Sequence, residues 1–450
     1  MKRTIVGGIA LVAMITVACT AGGGSSSIAP VNTATGAAHD PVTLNVWSFY
    51  TGHEFTQYQA VLDDFSKLYP WITINHTPSK SDQDYLRAVN SNSAPDVAIS
   101  PGPDNVAKFC DSGAYTDLTQ FLDQDGTDVT KVVPPAALRY SSYQGNQCTL
   151  PVLTDAYGLY YNTDLVSKAG ITSPPKTLSE LETDAKKLTT FNPDGSIKVA
   201  GFMPLNGFYE SYALYNGVYS GSQWYNADGK SSLATDPSWA ALYEWQKKFI
   251  TDVYGPDGYQ KLKDFAASLG GPNSEWGANT QGFELGKLAM AMDGEWRTAF
   301  ITNDKSKVNY ETAPFPVLDS AADIYGAGTI GGDVIGIPSN AEHPAEGWLL
   351  LKYLALDTGA EMKLAETLGN VPTTYESLKD PKLTATPHFQ TFLDIFANAN
   401  SAFKPITVIG QADSDALASF LDDWEAGKVP DLQKGLEDLA GQIDQQFTLG

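Results

Sequence analysis

The sequence predicts an α/β fold built as two lobes, and three observations predict it. Residues 42–99 read as strand, helix, strand, helix, strand. The 450-residue chain is long enough for two substantial cores rather than one. Hydrophobic residues make up 42% of it, so burial can drive folding, yet no stretch beyond the first nineteen residues approaches membrane length. Val42-Thr43-Leu44-Asn45-Val46-Trp47 alternates as a strand does. Residues 57–69 place Tyr58, Val61, Leu62, Phe65 and Leu68 at helical spacing, and Pro70 ends the run. Trp71-Ile72-Thr73-Ile74 is a second strand, 82–89 a second helix, and Asp96-Val97-Ala98-Ile99 a third strand. This order implies a parallel, doubly wound sheet, in which ligands bind beyond the carboxyl ends of the strands. Those ends are Trp47-Ser48 and Ser100-Pro101. Helical periods recur at 178–188 and 239–252, on either side of an aromatic tract at 206–225. That tract holds Phe208, Tyr209, Tyr212, Tyr215, Tyr219, Trp224 and Tyr225. Such rings serve as packing, and as a set they also suit sugar rings, whose C–H faces stack on aromatic faces.

The amino terminus speaks to location. Met1-Lys2-Arg3 is cationic, and 5–17 is an apolar run too short to cross a roughly 30 Å hydrocarbon core, so 1–18 reads as a secretory signal peptide. Its ending, Thr16-Val17-Ala18-Cys19, resembles a bacterial lipobox, which implies a lipid on Cys19 and a membrane tether outside the cytoplasm. An ordinary signal cleaved nearby is the alternative. Residues 19–40, rich in Gly, Ser, Thr and Ala, read as a flexible leash. The chain has 29 basic and 52 acidic residues, and losing Lys2 and Arg3 takes the net charge from −23 to −25. That excludes a nucleic-acid partner, which needs clustered Lys and Arg. Cys110 and Cys148 make an even pair suited to a disulfide in an oxidising compartment, or else two buried thiols.

Catalytic and cofactor motifs fail on inspection. His53-Glu54 opens like a zinc-protease motif, but Gln57 stands where the second histidine belongs. Gly282 to Lys287 is one residue short of a phosphate loop, and Leu288 replaces the Ser or Thr. Gly326-Ala327-Gly328-Thr329-Ile330-Gly331 matches a dinucleotide fingerprint literally, without the preceding strand or following helix. Asp123, Asp125 and Asp128 are too compressed for a calcium loop. No metal, no cofactor and no enzyme activity are expected, although two carboxylates suffice for a glycosidase and composition leaves that open.

A series of landmarks in order resembles the extracytoplasmic solute-binding proteins of ATP-driven sugar importers, the family that includes maltose-binding protein. The series runs Leu44-Asn45-Val46-Trp47-Ser48, then Asp64-Phe65-Ser66-Lys67-Leu68-Tyr69-Pro70, Ala94-Pro95-Asp96-Val97, and Leu150-Pro151 before Tyr157-Gly158-Leu159-Tyr160-Tyr161-Asn162. It continues with Phe283-Glu284-Leu285-Gly286-Lys287-Leu288-Ala289-Met290, Met292-Asp293-Gly294-Glu295-Trp296, Gly331-Gly332 with Ile337-Pro338-Ser339, the helix at 345–354, and Gly369-Asn370-Val371-Pro372-Thr373. The resemblance implies a two-lobed, periplasmic-binding-protein-like clamp, each lobe a mainly parallel sheet flanked by helices. The amino lobe would be 41–153 plus 314–374, and the carboxy lobe 154–313 plus 375–450, with hinge crossovers near 152–157 and 312–332.

It also implies a carbohydrate held between the lobes and delivered to the permease of an ABC importer by a monomer. By position, Trp296 is the stacking aromatic, Gly294 lets backbone approach the ligand, and Glu295 accepts hydroxyl protons. Asp155 and Tyr157 lie at the first crossing. Trp47, Ser48 and Glu54 follow the first strand, Ser100 and Asp104 the third; Gly331, Gly332 and Asp333 line the cleft, and Asn370 follows Gly369. Tyr209, Trp224 and Trp276 are carboxy-lobe walls. The same clamp could hold another solute, such as a polyamine, iron or a phosphodiester.

Overall fold

The computed structural model describes residues 28–34, 37–271 and 281–449. The signal peptide 1–18, Cys19 and Trp276 lie outside them. Among the described residues the strands are β1 (Val42–Ser48), β2 (Ile72–Thr77), β3 (Val97–Ser100), β4 (Thr149–Pro151), β5 (Leu153–Asn162), β6 (Thr190–Phe191), β7 (Ile197–Val199), β8 (Met290–Gly294), β9 (Tyr310–Pro314), β10 (Ile330–Gly331), β11 (Val334–Gly336) and β12 (Val371–Pro372). Helices α1 (Gly52–Leu68), α2 (Asp82–Asn90) and α3 (Val106–Asp111) alternate with the first three strands.

The first sheet has the order β2-β1-β3-β11-β4. β1 pairs parallel with β2 and β3, as the alternation of elements predicts, whereas β11 runs antiparallel to β3 and β4 because the chain returns there from the other lobe. Leu44, Val46 and Ser48 of β1 face the core, and α1 lays Tyr58, Val61, Leu62 and Phe65 against it, the i, i+3, i+4, i+7 stripe of an amphipathic helix. Pro70 stops α1 and allows β2 to start at Ile72. Ser81 and Asp84 form a reciprocal capping box at the start of α2.

The second sheet is organised around β5, and here the expected parallel arrangement does not hold: every pair to β5 is antiparallel. Its first residues pair with β12 on one edge and β10 on the other; its last pair with β8 and β9. Only Val152 separates β4 of the first sheet from β5 of the second, and its N–H donates to Asp333 O at 2.9 Å. The chain therefore passes between sheets along a strand fastened on both edges. Gly332, at φ +129°, sits where a Cβ would come within 2.3 Å of Leu153 O, so only glycine lets the β10–β11 turn press on β5. The aromatic tract 206–225 folds as turns and two short helical segments whose rings are mostly buried.

Part of the expected leash rests on the body. Gln124 Nε2 donates to Ile28 O at 2.9 Å, and His39 stacks on Trp71 with ring centroids 3.7 Å apart. The compressed acidic loop is structural: Asp125 accepts from Trp348 and Lys352, and Asp128 caps the turn at Thr130. Cys110, in α3, and Cys148, just before β4, form a disulfide across a sequence separation of 38. Closing a loop of that length removes unfolded-chain entropy worth about 4 kcal/mol. Reduction is therefore expected to lower the unfolding free energy by about that amount, read from urea denaturation with and without reductant. Coincident midpoints would show that the bridge constrains nothing.

Candidate functional site

A cavity of about 450 Å³ opens between the two sheets, within the range of small-molecule sites. Fourteen residues line it: Phe49, Tyr50, Thr51, Gly52, His53, Glu54, Pro101, Asp155, Tyr157, Glu210, Trp296, Phe300, Asp333 and Asn370. The first six are the loop after β1 and the first turn of α1, and Pro101 follows β3, so the carboxyl ends of parallel strands do face the ligand space. The rest come from β5 and the ends of its partners, except Glu210, from a loop, and Phe300, from the helix Arg297–Asn303. Asp155 and Tyr157 alternate onto one side of β5; Trp296 follows β8, Asp333 sits between β10 and β11, and Asn370 precedes β12.

The walls are aromatic. Tyr157 meets Trp296 edge-on at 5.3 Å between ring centroids and packs on Tyr215 at 4.2 Å. His53 meets Phe300 edge-on at 4.6 Å. Gly294 makes room for the indole, since a Cβ there would stand 2.2 Å from its six-membered ring. Gly369 ends its helix at φ +82° and lies against Trp296 Cα. Trp296 is 9% exposed, and its Nε1 has no partner among the described residues.

The polar groups are carboxyls. Asn370 Nδ2 bridges Asp155 Oδ1 at 2.9 Å and Glu295 Oε1 at 3.0 Å, while Glu295 Oε2 accepts from Ala156 N–H at 2.7 Å. Tyr50 Oη donates to Asp333. Burial pushes Glu54 up to about 7 and Glu295 up to about 8. Asp155 and Asp333 rise well above the usual carboxylate range, first through burial and then through each other's neighbourhood of acids. Glu295, with two N–H donors on it, is the better seat for negative charge; Asp155 is the better seat for a proton. Arg297 is buried behind the cavity, and its Nε donates to Asp293 at 2.6 Å.

Six positions expected from the sequence reach the wall: Glu54, Asp155, Tyr157, Trp296, Asp333 and Asn370. The other described positions do different work. Trp47 points off β1 to the side opposite Val46 and Ser48, under Lys80 Nζ at 4.3 Å. Ser48 is buried on His76 at 2.7 Å, and Ser100 is buried within β3. Asp104 pairs with the buried Lys404 at 3.2 Å, an ammonium that also meets Asp413 at 2.9 Å, so it balances an internal charge. Tyr209 Oη accepts from Phe283 N–H and donates to Gln281, and Trp224 packs edge-on against Trp239 in the core. Gly294, Gly331 and Gly332 provide close approaches of the chain to itself: a Cβ on Gly331 would meet the Phe403 ring at 3.1 Å. Glu295 stands just behind the wall and holds its polar groups in place.

Sequence reasoning missed Phe49, Tyr50, Thr51, Gly52, His53, Glu210 and Phe300, whereas Pro101 stands at the strand end it had pointed to. β1 runs one residue further than its alternation suggested, so the ligand-facing loop starts at Phe49. Phe300 lies one helical turn past Trp296, a spacing that could have flagged it. Glu210 is delivered by a loop and carries no local signal.

The arrangement defines a class: a two-lobed α/β protein with a ligand cleft between its sheets. The chain belongs to the bacterial extracellular solute-binding protein family, whose pattern matches residues 51–361. Among relatives it is 25% identical over 336 residues to a maltooligosaccharide ABC transporter solute-binding lipoprotein of Streptococcus pneumoniae, covering 71% of each chain. It is 27% identical over 311 residues to a protein of Deinococcus radiodurans named as an ABC transporter-binding protein, covering 64% of this chain and 68% of that one. Among solved structures it is similar to CpMnBP1 with mannotriose bound, at a TM-score of 0.79 and 23% identity, covering 89% and 99% of the two chains. It is also similar to maltose-bound MalE3 of T. maritima, at a TM-score of 0.73 and 21% identity over 89% and 99%. These structural likenesses establish the fold. No described helix is long and apolar enough to cross a membrane.

The raised carboxyls have a signed consequence. Below the unfolded glutamate value both states hold their protons; as pH climbs towards about 7 and 8, the unfolded chain ionises freely while Glu54 and Glu295 resist. The ligand-free fold therefore loses stability across that window. Calorimetric midpoints are expected to fall between about pH 5 and about pH 8, and Glu295→Gln to flatten the fall by up to a few kcal/mol, at about 1.4 kcal/mol per pKa unit. Equal slopes for variant and parent would contradict the burial of this charge.

Proposed function

We propose that this protein captures a carbohydrate, a mono- or oligosaccharide, in the cleft and presents it to the permease of an ABC importer. It would do so as a monomer, tethered outside the cytoplasm by lipid on Cys19. The lobes are 41–153 plus 314–374 and 154–313 plus 375–450, closing on the ligand about β5. The observation that carries this reading is the juxtaposition of Trp296 and Tyr157, rings at right angles, with Asp155, Asp333, Glu54 and Asn370 around one cavity. Aromatic faces take the C–H side of a sugar ring, and polar groups at the rim take its hydroxyls. Family membership supports it, as do the relative and the solved structures named for oligosaccharides. Closure needs a ligand that touches both lobes only when they meet, and the wall residues come from both sheets. The proposal includes no bond-making step: the relatives are binding proteins, and Asp155, Glu295 and Asp333 are tied to Asn370, Ala156 and Tyr50.

Thermal unfolding of the mature chain against a panel of mono- and oligosaccharides tests this. A sugar at 100 times its dissociation constant is expected to stabilise the fold by about 2.7 kcal/mol, and Trp296→Ala to abolish that gain. A panel without any saturable shift removes the carbohydrate. A shift that survives Trp296→Ala removes the stacking role.

A further inference from the structure

The charge balance of the cleft narrows the ligand class. Glu54, Asp155, Glu210 and Asp333 line the cavity, and no Lys or Arg does so among the described residues. The guanidinium of Arg297 is buried outside the lining, ion-paired with Asp293 at 2.6 Å. Asp155 lies within electrostatic reach of Glu295, Glu210 and Glu54, and Asp333 within reach of Asp155 and Glu54.

A sugar hydroxyl donates one hydrogen bond and can accept two, so a neutral sugar is best met by a mixture of donors and acceptors. This cleft is rich in carboxyls, which become pure acceptors once they are ionised. Asn370 Nδ2 is committed to Asp155 and Glu295, and Tyr50 Oη to Asp333. Two ring nitrogens of the lining have no protein partner among the described residues: the Trp296 indole Nε1, on a side chain more than nine-tenths buried, and His53 Nε2. An ammonium donates three hydrogen bonds and accepts none, and it gains from both acids and aromatic faces.

Resting on the carbohydrate reading, we propose that the ligand is an amine-bearing sugar, its ring on Trp296 and its protonated amine among Asp155, Asp333 and Glu54. Burial holds protons in the empty cleft, so taking up the ammonium ionises carboxyls and releases protons, and affinity rises with pH until the amine itself deprotonates. The groups facing that charge are Glu54 from α1, Asp155 from β5, Glu210 from its loop, Glu295 after β8, Asp333 between β10 and β11, Tyr50, and His53, which burial keeps neutral to lower pH. Arg297, ion-paired with Asp293, also lies within electrostatic reach of Glu54 and favours its charged form.

Isothermal titration of the mature chain with a glucosamine disaccharide, its N-acetylated counterpart, mannobiose, maltotriose and spermidine tests this at about pH 5 and about pH 6.5, where the amine stays protonated, in buffers of different ionisation heat. The glucosamine disaccharide is expected to bind at least about tenfold more tightly than its N-acetylated counterpart, to tighten at the higher pH and to release protons. Asp333→Asn is expected to erase most of that preference. Neutral sugars binding as well as or better than the amine would overturn the inference and leave the carbohydrate reading standing. Spermidine binding alone, or binding by none of these sugars, would overturn both.

Discussion

Strand β5 is hydrogen-bonded on both edges, and the cleft inherits its geometry from that pairing. β10 and β12 clasp its first residues, β8 and β9 its last, and each of β8, β10 and β12 has a cavity residue at its end. Register decides which. Asp155 sits opposite Gly331, Tyr157 opposite Gly294, and Thr154 opposite Val371. A slip of one residue would turn Asp155 and Tyr157 away from the cavity and put Ala156 in their place. Three glycines allow the fit: Gly332 lets the turn touch β5, Gly294 accommodates the indole, and Gly369 brings Asn370 forward. These positions make sense as backbone approaches rather than as ligand contacts.

The electrostatic cost follows from the same geometry. Carboxyls delivered from five chain segments converge where water is scarce, and burial outweighs the hydrogen bonds that would hold them charged. Asn370 serves two acids at once, and Ala156 N–H anchors Glu295, so the wall is preorganised around groups that favour protons when empty.

The first lobe was legible because its signals are local. Alternation in β1, the stripe of Tyr58, Val61, Leu62 and Phe65, and Pro70 each declare themselves within a few residues. The ordered landmarks located Asp155, Tyr157, Trp296, Asp333 and Asn370, because strand ends in this fold are where ligands meet the chain. Trp224 and Tyr209 misled for a physical reason: an aromatic tract has the same composition whether its rings stack on a sugar or on Trp239 and Arg297. The antiparallel sheet around β5 was hidden too, since its partners lie up to about two hundred residues away and pairing direction leaves no local trace. Glu210 is the extreme case, a cavity acid whose role depends wholly on where a loop folds.

A structure of the mature chain with its sugar bound tests the central claim most directly. The account predicts a sugar ring stacked on Trp296, polar contacts from Asp155, Asp333 and Glu54, and both sheets closed on the ligand about β5. Ligand density away from Trp296, or a sugar touching residues of one lobe alone, would contradict it.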